Sequence, residues 1–252
     1  DESIRIIPKI PSKMAKENSS ASADIVFPSD KLPVKVTAMQ SMAGKMWKPF
    51  IAMGFMIVVV AFIIGAVNSG VAGDYFGASK AVREAAAKGT DLATQKAFIE
   101  STKIWLPAFK FLGMGMLLGG VTFLLATILG SLRTGGGKVQ EALGVEVRII
   151  KPPMTAKVFP MIMMMGMMIL MVALIVGIVV ASRAYGYWNH SIATELNTAA
   201  AGSGLLGDLG TINAVKLWLE PLKFVGMALL LTGIGLALAT IVRVLRWQSN
   251  RL

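Results

Sequence analysis

Four apolar stretches of membrane length, at about residues 49–72, 107–132, 158–182 and 221–244, fix what this chain can fold into. A bilayer core of about 30 Å is crossed by about 20 helical residues rising 1.5 Å each, and every stretch reaches that length. The third carries no charge from Val158 to Ser182. A soluble core might bury one such segment, but hardly four within 252 residues. Composition agrees, with 55% hydrophobic residues, 15% charged and a positive mean hydropathy. The expected fold class is an all-α integral membrane protein with four transmembrane helices.

The stretches repeat in pairs. "WLPAFKFLGM" at 105–114 returns as "WLEPLKFVGM" at 218–227. A shift of 113 aligns Trp105 with Trp218, Lys110 with Lys223, Gly113 with Gly226, Gly120 with Gly233, Thr127 with Thr240 and Arg133 with Arg246, and makes 15 of the 29 positions from 105 to 133 identical. The first and third stretches align at a shift of 112, matching Lys45 to Lys157, Gly54 to Gly166, Ala61 to Ala173, Gly65 to Gly177 and Tyr75 to Tyr187. Chance likeness between apolar helices exchanges Leu for Ile; it does not reproduce an ordered series of Gly, Lys, Trp, Thr and Arg. The pattern predicts a tandem duplication of a two-helix unit. Because each unit crosses twice, both copies insert in the same sense, as parallel repeats about an expected pseudo-two-fold axis along the membrane normal.

The small residues predict where the helices meet. Gly113, Gly120 and Thr127 are seven apart, as are Gly226, Gly233 and Thr240, so each set forms one stripe. Ala61 with Gly65 and Ala173 with Gly177 are small-xxx-small pairs, which let backbones approach closely in lipid. Together with Gly54 and Gly166 these are the expected helix-packing residues.

Lys110 and Lys223 read as boundary residues. The uncharged runs that follow, Phe111–Leu132 before Arg133 and Phe224–Val242 before Arg243, are already long enough to span. Each lysine then brackets its helix at the outer side, its ammonium group reaching head groups or water, with Arg133 and Arg246 as inner brackets and Trp105 and Trp218 at the interface. The alternative is that both lysines bind an acidic lipid or a partner's carboxylate at equivalent sites.

Basic residues set the expected orientation. Sixteen Lys and Arg fall in the segment before the first stretch, in the middle connection and at the C-terminal end, against seven in the two remaining connections. The positive-inside rule therefore places both termini in the cytoplasm, and the net charge of +11 reads as topology plus attraction to anionic lipid, not nucleic-acid binding. No cleavable signal peptide is expected, since the first 47 residues are polar and the first apolar run is too long.

The expected organisation is a flexible or extended segment (1–33), a first two-helix repeat (34–133), a Gly-rich linker (134–144), a second repeat (145–246) and a short tail (247–252). In the linker region "GGGK" lacks the strand and spacing of a phosphate loop and reads as a flexible turn, with alternating apolar residues after it suggesting a short strand. The first outer connection is rich in Ala, Glu, Lys and Gln, with a stop at Gly89 and a Thr90–Asp91 cap signal, which predicts short helices, the last running into the next span. The second is richer in Gly and includes His190.

Candidate chemistry is sparse. Without cysteine, disulfides and thiolate metal sites are excluded, and a lone His190 beside Trp188 fits an aromatic belt. Seventeen methionines, with the run "MIMMMGMMILM" at 161–171, raise Cu(I) ligation by Met161, Met164, Met165 and Met168; apolar filling is the preferred role. No nucleophile with a base, paired carboxylate or haem ligand pair is found, so no catalysis and no cofactor beyond bound lipid is expected. The preferred function is a non-catalytic accessory subunit of a larger membrane complex, such as an energy-converting or oxidase assembly, with other integral subunits and lipids as partners and self-association as a further option. A small channel or carrier of two halves is the first alternative, copper handling the second.

Overall fold

The helices outrun the apolar stretches that predict them. In a computed structural model describing residues 25–27, 34–144, 149–150, 154–189 and 199–249, four long helices dominate: α1 (Val34–Gly77), α3 (Asp91–Ala142), α4 (Met154–Trp188) and α5 (Gly204–Ser249). All four are long and apolar enough to cross a membrane, and the chain is a multi-pass membrane protein. Their 35 to 52 residues exceed the roughly 20 a bilayer requires, because the flanks are rich in Ala, Leu, Lys, Glu and Gln, which keep the helix going once the apolar run ends. Each holds one proline near the margin of its apolar run: Pro49, Pro107, Pro160 and Pro221.

At the connection end, between α1 and α3, the short helix α2 (Lys80–Glu84) is capped by Ser79, whose side chain accepts from the Val82 amide. Gly89 then turns the chain at φ +77°, and the Thr90 hydroxyl donates to the Ala87 carbonyl at 2.7 Å before α3 begins at Asp91. The cap signal and the continuity with the following span are where the sequence places them. His190 lies outside the described residues.

Two expectations need correction. The Gly-rich linker is no flexible turn, since α3 runs through Gly135, Gly136 and Gly137 to Ala142. One cause is visible at Gly136: a Cβ there would collide with Gln248 of α5, whose side-chain amide crosses α3 to donate to the Leu132 carbonyl at 2.8 Å. The N-terminal segment, expected to be flexible or extended, contributes β1 (Ile25–Phe27), which pairs antiparallel with β2 (Ile149–Ile150) in the middle connection; the rest of 1–33 lies outside the described residues.

The second correction concerns symmetry. α3 packs against α1, α4 and α5, and α4 packs against α5, whereas α1 meets α3 and makes at most marginal contact with α4 or α5. A two-fold axis would give α5 a contact with α1 equal to that of α3 with α4. Same-sense insertion fixes the direction of crossing but leaves rotation about the membrane normal open, and two-fold placement is only one case of it.

Candidate interaction surfaces

Within each hairpin the helices touch at a pair of glycines. A Cβ at Gly54 would lie 2.8 Å from the Gly113 carbonyl and 2.8 Å from the Leu117 amide, and one at Gly166 would lie 2.8 Å from the Gly226 carbonyl and 3.1 Å from Leu230. Gly113 faces Ile57, Val58 and Gly54; Gly226 faces Leu170 and Gly166. One heptad on, Gly120 lies against Trp47 and Ile51, and Gly233 against Phe159 and Met163. Every one of these partners in α4 stands 112 positions after its counterpart in α1. At Gly54, Gly113, Gly120, Gly166 and Gly226 such approach is open only to a residue without a side chain, whereas a Cβ at Gly233 would meet ordinary contacts; in lipid it is dispersion between closely apposed backbones that holds the pair.

The remaining packing residues lie on the same faces. Ala61 and Ala173 are fully buried, and Gly65 and Thr127 are half-buried. Thr240 is buried, donating to the Leu236 carbonyl and meeting the Thr155 hydroxyl, both at 2.7 Å. Gly177 departs from its counterpart's pattern, facing Trp105, Ala108 and the Ile104 carbonyl of α3.

The sequence reading missed how the two hairpins join. Gly115 and Gly119 of α3 receive the second hairpin: a Cβ on Gly115 would run into Leu170 and Leu230, and one on Gly119 would touch Met167 at 3.4 Å. Phe111 and Phe224 meet edge to face at 5.3 Å nearby. The signal was there, a GxxxG pair present in one half and replaced by Ala228 and Thr232 in the other, yet attention to what repeats passes over what does not.

A second missed feature fastens the connection end. The Lys96 ammonium lies 4.8 Å from the Trp188 ring of α4 and 5.6 Å from the Tyr75 ring of α1. Glu100, one turn further along α3, accepts from Lys103 at 2.9 Å and pairs with Lys96 at 3.7 Å and Lys216 of α5 at 3.8 Å. Arg83 of α2 covers the Tyr75 and Phe76 rings, and the Gly89 amide donates to Asn189 at 3.4 Å. All four long helices meet in this cluster. Three lysines thus surround one carboxylate.

The bracket residues separate by half. Trp105 is partly buried and Arg133 buried, while Trp218 and Arg246 are exposed. The lysines reverse this. Lys110 is exposed, whereas Lys223 is buried, its ammonium 2.9 Å from Glu220 and 5.6 Å from the Phe111 ring centre. Pro107 stands where Glu220 would be in the first half, so Lys110 lacks that acid. Lys223 is thus buried where an outward-projecting ammonium was expected, and the ammonium of Lys110 lies beside Gly65 of α1.

Met161, Met164, Met165 and Met168 occupy one outward stripe of α4 at 49% exposure or more. An open stripe differs from a closed thioether cage. Among the described residues no cluster of three His, Cys, Asp or Glu is placed to hold a metal ion. Comparison with family profiles, with curated proteins and with solved structures finds no match.

Proposed function

We propose that the chain is a non-catalytic structural subunit of a larger membrane assembly, built by duplication of a two-helix hairpin and inserted with both termini in the cytoplasm. The observation that carries this reading is α1. Only 11% of its most apolar window is buried inside the fold, the smallest share among the four spans. One seam ties it to α3; the rest of its circumference presents Phe55, Met56, Phe62 and Ile63 outward. Helices placed at the edge in this way supply contact surface to neighbouring subunits and lipid.

The duplication is supported by the matched glycine contacts. Independent hairpins have no reason to close at the same register with partners at the same offset. The topology is supported by the charge asymmetry of the sequence.

A conducting role draws less support. Hydroxyls within the spans are already committed to their own helices: Thr122, Thr127 and Thr232 donate to Leu118, Phe123 and Ala228 carbonyls at 2.8 to 3.0 Å. Solute pathways are lined by polar groups that remain available to the passenger.

Affinity purification from native membranes in mild detergent, followed by mass spectrometry, tests the proposal. Recovery of other integral subunits in fixed stoichiometry is expected. A chain that purifies without partner subunits and conducts ions or solutes in liposomes overturns it.

A further inference from the structure

The internal joint has a second, unoccupied counterpart. On α3 the face that receives the second hairpin includes Ile104, Leu112 and Leu129, buried at 3%, 6% and 7% exposure. Shifted by 113, the same face of α5 carries Leu217, Val225 and Val242, exposed at 79%, 49% and 46%. On α4, Met167 and Leu174 pack in the core at this joint. Their counterparts on α1, at a shift of 112, are Phe55 and Phe62, exposed at 63% and 74%. Both halves of a joint are thus present, and neither is covered by another of the described residues.

Lipid covers any apolar face, so apolarity alone selects no occupant. Position-by-position correspondence does. Leu170 bridges Gly226 of its own hairpin and Gly115 of α3. Its counterpart Val58 already touches Gly113 of its own hairpin, and the residue equivalent to Gly115 is Ala228. At Val58 and Ala228 the knob loses a carbon where the hole loses room, while at Phe55 and Thr232, which stand for Met167 and Gly119, both side chains are larger and the helices stand further apart. We propose that α5 of one copy receives α1 of a second copy in the register in which α3 receives α4, giving head-to-tail association of this chain.

The faces that meet are unlike, so the contact is heterologous, and successive copies either close a ring or extend. Its polar fasteners do not recur. Asn213 stands where Glu100 reaches Lys216, and Gly135 where Gln248 reaches Leu132. The joint between copies is held by apolar packing and is weaker than the joint within the chain.

This inference rests on the duplication proposed above, and the natural absence of cysteine makes it directly testable. Within one chain α1 and α5 do not pack, so a disulfide between them reports on two copies. Phe55→Cys paired with Thr232→Cys reproduces the Met167–Gly119 contact, and Val58→Cys with Ala228→Cys reproduces Leu170–Gly115. On mild oxidation in native membranes at least one pair should give linked dimers about ten-fold faster than Met164→Cys with Thr232→Cys, since paired thiols share a contact instead of meeting by diffusion. Mixed singly substituted chains should link only to each other. No dimer from either pair, in protein that elutes monodisperse, overturns the proposal, as does Phe55→Cys linking to itself as fast as to Thr232→Cys. Partner subunits recovered by affinity purification without these disulfides would leave the subunit reading standing and sink only the contact between copies; disulfides without partner subunits would do the reverse.

Discussion

Gly54 and Gly166 sit where a single methyl group would press on the backbone of the neighbouring helix, and backbone cannot swing aside as a side chain can. Gly54→Ala and Gly166→Ala should each cost about 1–3 kcal/mol through overpacking, read as easier unfolding in an SDS titration followed by tryptophan fluorescence. Gly70, with nothing within 4 Å of its would-be Cβ, is the control, and Gly70→Ala should leave stability unchanged or slightly higher. Equal losses at all three positions would refute the seam. Thr240→Val removes an interhelical hydroxyl contact and should cost about 0.6 kcal/mol, up to about 1.7, whereas Thr127→Val, whose hydroxyl donates to the Phe123 carbonyl of its own helix, should cost less.

Single elements show how much the sequence disclosed. The existence of the four spans, the start of α3 and the small-residue faces were legible, because each is written locally: in apolar run length, in a cap residue, in a heptad spacing. The ends of α1, α3 and α5 were not, since hydropathy marks where lipid stops and says nothing about where the helix does. The Gly135–Gly137 stretch misled for a related reason. Its helical cost is offset by Gln248 from α5, over a hundred residues away, which no local pattern reveals. The Lys96–Glu100 cluster escaped likewise, as its partners come from four helices. Lys96→Met should weaken the connection end by about 0.5–2 kcal/mol and alter Trp188 emission. The exposed pair of Lys80 with Glu84 sets the scale for a surface contact, and Lys80→Met should change stability by less than about 1 kcal/mol.

For the whole molecule, insertion sense and helix arrangement come from different physics. Charge placement governs the first, and a membrane-impermeant maleimide checks it. Lys88→Cys should be labelled in intact cells and Ser249→Cys only after permeabilisation; the opposite pattern would invert the topology. Arrangement depends on which faces are smallest, and there the repeat gave an incomplete guide. Repetition reports the contacts shared by both halves. Gly115 receives Leu170 and Leu230 of the second hairpin and Gly119 lies between Met167 and Phe50, whereas the positions 113 further on carry Ala228 and Thr232.

The small ladder of Ile25–Phe27 with Ile149–Ile150 bears on how the chain is made. Its strands flank α1 and α3, so they can pair only on one side of the bilayer, after both helices have crossed. At about 5–20 residues per second, Phe27 waits on the order of ten seconds for Ile149 to be synthesised. Closure of the ladder therefore cannot precede completion of the first hairpin.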